Sequence, residues 1–118
     1  MIYKDLIVWQ KAHTLALNLI KYAEQVDHSY AGQFIIKQVL RAATSIGANI
    51  AEGYGRHEGK EYVRFLQIAY SSANEVDNWL TLLKDAELMK SEVASELSHE
   101  NEEIIKILVT MIKKIGNK

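Results

Sequence analysis

Residues 5–26 read DLIVWQKAHTLALNLIKYAEQV, and this stretch decides the fold. Its apolar side chains recur at alternating steps of four and three residues, at Val8, Ala12, Leu15, Leu19, Tyr22 and Val26. Because an α-helix completes a turn about every 3.6 residues, this spacing places them on one helical face. Leu6 and Leu17 fall nearly opposite that face, so the helix carries more apolar surface than one bundle core needs.

Three further segments show the same periodicity and are predicted as helices at about Ala31–Glu52, Lys60–Leu88 and Ser91–Ile115. The predicted inward faces are Ile35, Val39, Ala42, Ile46 and Ile50 in the second helix, Tyr62, Phe65, Ala69, Ser72, Val76, Trp79 and Leu83 in the third, and Val93, Leu97, Ile104, Leu108, Met111 and Ile115 in the fourth. Glycine commonly follows the last turn of a helix, so Gly53-Tyr54-Gly55 is predicted to end the second helix. Ser91 is predicted to be the N-cap of the fourth.

Long helices joined by short connections pack against one another in antiparallel order. The sequence contains no alternating β-branched run that would favour a strand. Its 118 residues are the length of one domain. The prediction is therefore an all-α protein, an antiparallel up-down four-helix bundle, with a single domain covering residues 1–118. Trp9 and Trp79, both on helical stripes, are expected in its core.

Composition excludes several classes of function. Hydrophobic residues make up 48% and charged residues 25%, which is ordinary for a globular protein. The net charge of −1 gives no electrostatic signature of a strong duplex-DNA or membrane binder. Cysteine is absent, which excludes disulfides, thiolate metal sites and cysteine nucleophiles. With no signal peptide or membrane-spanning run, we expect a soluble cytoplasmic protein without a membrane partner.

Catalytic and metal-binding motifs are not found in the sequence. The histidines are His13, His28, His57 and His99, and none forms a His-Glu-x-x-His pair. The glycines around Gly53 do not follow a strand, so they are not a dinucleotide fingerprint. No serine has an evident histidine partner, and no acid–base pair can be singled out. We therefore expect no enzyme activity, no catalytic residue, no cofactor and no metal site.

Two groups of residues are candidates for a contact with another subunit or a partner. Leu6 and Leu17 are the first group, since an exposed apolar patch on a small domain usually marks an interface. The second is a polar flank on the second helix, with Arg41 nearby, made of Gln38, Ser45, Asn49 and Glu52. This flank could bind a neighbouring helix, another subunit or a ligand, and polar contacts inside the bundle or between subunits are the simpler interpretation.

Basic and aromatic residues alternate between residues 37 and 64, which is a pattern that can bind single-stranded nucleic acid. The candidates for nucleic-acid binding are Arg41, Tyr54, Arg56, Lys60 and Arg64. Three glutamates in the same stretch, Glu52, Glu58 and Glu61, offset part of this positive charge. A solvated turn with local salt bridges is therefore an equally good interpretation.

Three blocks of the sequence resemble a family of bacterial four-helix bundle proteins. The blocks are residues 5–12 (DLIVWQKA), residues 38–46 (QVLRAATSI) with 49–53 (NIAEG), and residues 61–69 (EYVRFLQIA) with Ser72 and Glu75. This family was first noted as reading frames within intervening sequences of large-subunit ribosomal RNA genes, and it has no established activity that could be carried over. The resemblance covers about residues 5–83.

The resemblance implies a ring-like homo-oligomer, with a pentamer favoured. A related branch, the accessory protein of diversity-generating retroelements, is a barrel-like pentamer that binds a reverse transcriptase and nucleic acid. The leading hypothesis is thus a non-enzymatic, homo-oligomeric scaffold or adaptor. The alternative is a nucleic-acid-binding module, with RNA or a reverse transcriptase-like protein as partner.

Overall fold

A computed structural model gives the fold of the chain and describes residues 1–56 and 59–117. Four long helices are present: α1 (Ile7–Tyr22), α2 (Tyr30–Arg56), α3 (Gly59–Asp85) and α4 (Ser91–Gly116). Two short 3-10 helices, Tyr3–Asp5 and Ala23–Gln25, flank α1, and there is no strand in the described residues. The predicted all-α antiparallel four-helix bundle is confirmed. His57 and Glu58, which the sequence placed between the second and third helices, lie outside the described residues.

The bundle is a rod of 47 × 22 × 21 Å in which each helix packs against the next and α4 packs back against α1. Its buried core contains Val8, Ala12, Leu15, Leu19, Val26, Ile36, Val39, Ala42, Ala43, Ile46, Ile50, Leu66, Ala69, Ala73, Val76, Leu80, Leu83, Met89, Ala94, Leu97, Ile104 and Leu108. The face predicted for α1 is this core face, with Tyr22 half-buried at its edge. In α2, Ile36 is buried in place of the predicted Ile35.

The predicted inward face of α3 is partly wrong. The buried stripe contains Leu66, Ala73 and Leu80, which sequence reasoning had placed beside the main face. Of the predicted face, Tyr62, Phe65, Ser72 and Trp79 lie half-buried on the flank. The alanines among the buried residues allow the neighbouring helices to approach closely, whereas bulky rings fit at the edge of a close contact. Trp9 is also half-buried rather than central.

The end of α2 differs from the prediction. The helix continues through Gly53-Tyr54-Gly55 to Arg56, and Gly53 is buried inside it. A Cβ atom on Gly53 would lie 2.9 Å from the Cβ of Phe65 on α3, closer than carbon atoms can approach. Gly53 is therefore where α2 and α3 come together, and it does not end a helix.

Ser91 is not the N-cap of the fourth helix. Lys90 occupies the N-cap position without a side-chain hydrogen bond, and Ser91 is the first helical residue. The segment that precedes Ser91 leaves α3 through a helix C-terminal capping motif. The Leu88 amide donates to the Leu83 carbonyl at 2.9 Å and the Glu87 amide to the Lys84 carbonyl at 3.0 Å, which is the Schellman pattern.

Replacing Glu87 with glycine is expected to stabilise the protein. Glu87 has a φ of 58°, the left-handed conformation that costs a residue with a Cβ about 1–2 kcal/mol. Glycine removes that cost but loses more chain entropy, so the free energy of unfolding should rise by about 0.5–1 kcal/mol. Urea unfolding measures it. The neighbouring Ala86→Gly is the control and should be destabilised; equal losses in both variants would contradict this account of the turn.

Candidate functional site

An open apolar groove of about 290 Å³ runs between α1 and α2. It is lined by Trp9, Ala12, His13, Ala16, Leu17 and Ile20 from α1 and by Ala43, Thr44, Gly47 and Ala48 from α2. None of these lining residues is an acid, a lysine or an arginine. Charged side chains normally cover exposed helix surfaces, so a groove without them is typical of a surface that contacts another molecule.

The groove is concave because small residues face each other across it. Gly47 lets the indole of Trp9 lie close to α2: a Cβ on this glycine would be 3.5 Å from the indole nitrogen. The Trp9 ring also stacks on His13 with 4.7 Å between centroids, and the edge of Tyr3 meets it at 5.3 Å. These contacts hold Trp9 in place at one end of the groove.

Leu17 and Ile20 occupy the other end of the groove on α1. Their side chains are 53% and 58% exposed, although both are large and apolar. Leu17 therefore lies where the sequence predicted, on the outer side of α1. Ile20 follows three residues later on α1, and its exposure extends the uncharged surface.

Leu6 does not have the exposure that the sequence predicted. Its side chain is half-buried and packs against the core. The helix begins at Ile7 instead of Asp5, and Leu6 has an extended backbone with φ −70° and ψ 128°. The helical spacing used to place Leu6 opposite the core therefore does not apply to it.

The polar flank of α2 makes hydrogen bonds within the chain. The hydroxyl groups of Ser45 and Ser72 are 3.0 Å apart, and the Asn49 amide donates to the Ser45 carbonyl at 2.8 Å. Arg41 donates to Gln38 at 3.3 Å and forms an ion pair with Glu75. The Ser45–Ser72 and Arg41–Glu75 contacts join α2 to α3, and the other two lie within α2. The flank thus makes contacts inside the bundle.

The basic candidates separate into two places. Arg56 and Arg64 both lie over the Phe65 ring, with guanidinium carbons 5.5 and 5.7 Å from its centroid. Lys60 is exposed one turn before Arg64. Arg41, in contrast, is fifteen residues before Arg56 on the same helix, about 22 Å away. Arg41 is thus not part of a single basic cluster.

Ion pairs and aromatic contacts surround this basic end of the bundle. Glu52 pairs with Arg56 at 2.9 Å, and Glu61 lies 3.8 Å from Arg64. The Tyr54 hydroxyl donates to the Met1 carbonyl at 3.3 Å, and its ring meets that of Tyr62 edge-on at 6.4 Å. Burial raises the pKa of Tyr62, and the nearby Tyr54 adds to the effect. Local salt bridges of the kind expected near the connection between α2 and α3 are therefore present, one within each helix.

A second apolar surface, the aromatic patch, was not found by sequence reasoning. It consists of Tyr30, Phe34 and Trp79, where Phe34 stacks on Tyr30 at 6.5 Å and meets Trp79 edge-on at 6.4 Å. Tyr30 is 87% exposed and Phe34 46% exposed. Trp79 donates its indole N–H to Glu75 at 3.0 Å. The sequence signal that could have revealed this patch is the pair Tyr30 and Phe34. These two aromatic residues lie four positions apart at the start of α2, outside its apolar stripe.

The titratable groups do not assemble into a catalytic or metal site in residues 1–56 and 59–117. No cluster of three histidine, aspartate or glutamate side chains there could hold a metal ion. Burial raises the pKa of Glu100, while the Asn18 amide donates to both of its oxygens at 2.9 and 3.1 Å and opposes the shift. This glutamate joins α4 to α1 and faces no nucleophile in the described contacts. In the same part of the chain, no helix is long and apolar enough to cross a membrane.

Comparison with known proteins identifies a family and a similar solved structure. The family model described as 23S rRNA-intervening sequence protein matches residues 4–110. A crystal structure of a protein of unknown function from the S23 ribosomal protein family of Bacteroides thetaiotaomicron VPI-5482 is 31% identical and superposes with a TM-score of 0.83. The alignment covers 91% of this chain and 99% of that one. No curated protein matches the chain.

Proposed function

Since the chain belongs to the 23S rRNA-intervening sequence protein family, we propose that it acts as a non-enzymatic, homo-oligomeric scaffold or adaptor. The observation that carries this proposal is the uncharged groove between α1 and α2, with Leu17 and Ile20 more than half exposed. Covering a large apolar side chain gains roughly 1.5–3 kcal/mol, so a groove of this kind favours association. The resemblance described above favours five copies.

A second copy of the chain is the occupant that we propose for the groove. The chain carries two apolar surfaces: the concave groove, and the aromatic patch, where Tyr30 is 87% and Phe34 46% exposed at the start of α2. A contact between different surfaces of identical chains runs head to tail, and it closes into a ring when the rotation permits. Insertion of the patch of one copy into the groove of the next would cover both surfaces at every contact.

Light scattering at micromolar concentration tests the oligomer directly. The expected mass is a multiple of 13.4 kDa, with five chains favoured. A particle of 13.4 kDa at every concentration would contradict the proposal. Capture of a different protein by the tagged chain tests the adaptor role separately, because that result does not depend on how many copies associate.

Nucleic-acid binding is the second candidate function, and the arrangement of Arg56, Phe65 and Arg64 favours it. The two guanidinium groups beside Phe65 could contact phosphates or stack on an exposed base. Paired glutamates reduce the net charge of this surface, so affinity should be modest.

The test is binding of a structured RNA over a range of salt concentrations. Phosphate contacts release counterions, so affinity should fall steeply as salt increases. The double variant Arg56→Ala with Arg64→Ala should abolish the salt-dependent binding, whereas Arg41→Ala, on the distant part of α2, should not. Absence of binding at low salt rejects this candidate and leaves the oligomer proposal unaffected.

A further inference from the structure

One polar side chain lies in the centre of the apolar core. Asn101 on α4 has no exposed surface, and it is the only fully buried polar or charged residue in the described part of the chain. Its amide nitrogen donates to the carbonyl oxygen of Ala73 on α3 at 2.8 Å. Its amide oxygen is buried and has no partner among the described atoms. A leucine here would avoid an unpaired polar atom, so the asparagine must do something that stability alone does not require.

The apolar pattern of these two helices leaves their alignment underdetermined. The buried positions are 66, 69, 73, 76, 80 and 83 in α3 and 94, 97, 101, 104 and 108 in α4. Steps of three and four repeat every seven residues in both. If α4 moved along α3 by seven residues, Ala94 or Leu108 would take the height of Asn101, and apolar side chains would still meet α3. Hydrophobic burial therefore distinguishes these alignments only weakly.

Asn101 distinguishes them strongly because its hydrogen bond forms in one alignment. Ala73 is small, so the amide can reach the α3 backbone past it. In a shifted or rotated α4, the whole amide would face apolar side chains without a partner. The connection at residues 86–90 restrains the near ends of the two helices, so a shift of α4 also requires this connection to rearrange. Asn101 is ten residues beyond the start of α4, about 15 Å along it.

We propose that Asn101 is an alignment residue: its hydrogen bond to the Ala73 carbonyl selects one height and one rotation of α4 against α3. This role concerns the single chain and is independent of any association between copies. It resembles the effect of a buried asparagine in a coiled coil, which selects one register at a cost in stability.

Distances between spin labels on α3 and α4 test the proposal. The chain has no cysteine, so Asn78→Cys and Lys106→Cys at exposed positions give one label on each helix. The doubly labelled protein is diluted with unlabelled protein so that distances between copies do not contribute. The parent should give one narrow distance population. Asn101→Leu should add a second population displaced by about 5–10 Å, the length of one turn to two turns.

The control is Ile104→Leu, an apolar exchange on the same face of α4 that leaves Asn101 in place. It should keep the single population of the parent. If Asn101→Leu does not fold, Asn101→Met replaces it, since methionine adapts to irregular space. A single, unshifted population in the folded variant overturns the proposal, whether its unfolding midpoint rises or falls.

Discussion

Leu17→Glu is expected to reduce the proposed oligomer to single chains of 13.4 kDa. Leu17 lies on the uncharged groove with 53% of its surface exposed, so the change should leave the fold of one chain intact. In the proposed contact the new carboxylate would be buried without a partner. The effective penalty for burying an unpaired charge is several kcal/mol, and a loss of about 4 kcal/mol weakens association roughly a thousandfold.

The mass from light scattering, with helical content as the measure of folding, decides this prediction. Asn74→Glu is the matched control because it adds the same charge at an exposed position of α3, which does not line the groove. The control should keep the mass of the parent. If Leu17→Glu also keeps it, the groove is not where the copies meet.

Gly53→Ala is expected to lower the free energy of unfolding by about 1–3 kcal/mol, the usual cost of overfilling a packed site. The added methyl group would lie 2.9 Å from the Phe65 Cβ and 3.2 Å from the Tyr62 ring. A Cβ atom cannot rotate away, so the backbones of α2 and α3 must separate. The intrinsic preference of alanine for helices, worth about 1 kcal/mol, offsets part of this cost.

Gly55→Ala is the control, because it makes the same chemical change two residues later in α2. A Cβ on Gly55 would meet no atom within 4 Å, so only the helical preference of alanine remains. This variant should be unchanged or gain up to about 1 kcal/mol. Urea unfolding compares both with the parent at one protein concentration, since association also stabilises the folded state. A loss in Gly55→Ala equal to that in Gly53→Ala would contradict the close-contact explanation.

The periodicity of α1 shows how much the sequence determines. Its stripe from Val8 to Leu19 is the buried face, because large aliphatic residues at helical spacing leave few alternatives. In α3 the same reasoning placed Phe65 and Trp79 on the inward face and Ala73 beside it. Hydrophobicity favours the large rings, but the close packing of helices decides which side chain fits at the centre.

The candidate site could be predicted only in part. The exposure of Leu17 follows from helical phase. The half-buried position of Leu6 does not, because Leu6 precedes α1 and helical spacing does not apply to it. The groove needs Gly47 on α2 to lie against Trp9 and Ala12 on α1, and one sequence gives no information on such pairs. The salt bridges of Arg56 and Arg64 were anticipated because their partners are three or four residues away.

Mixing two defective variants tests the central claim most directly. Leu17→Glu disables the groove and leaves the aromatic patch intact, and Phe34→Glu does the reverse. Each alone should be a monomer of 13.4 kDa. In an equimolar mixture, the intact groove of a Phe34→Glu subunit can receive the intact patch of a Leu17→Glu subunit. The resulting dimer has no second intact groove or patch with which to bind a third subunit. The account predicts a dimer of twice 13.4 kDa by light scattering. A mixture that stays monomeric, or an oligomer formed by either variant alone, would contradict it.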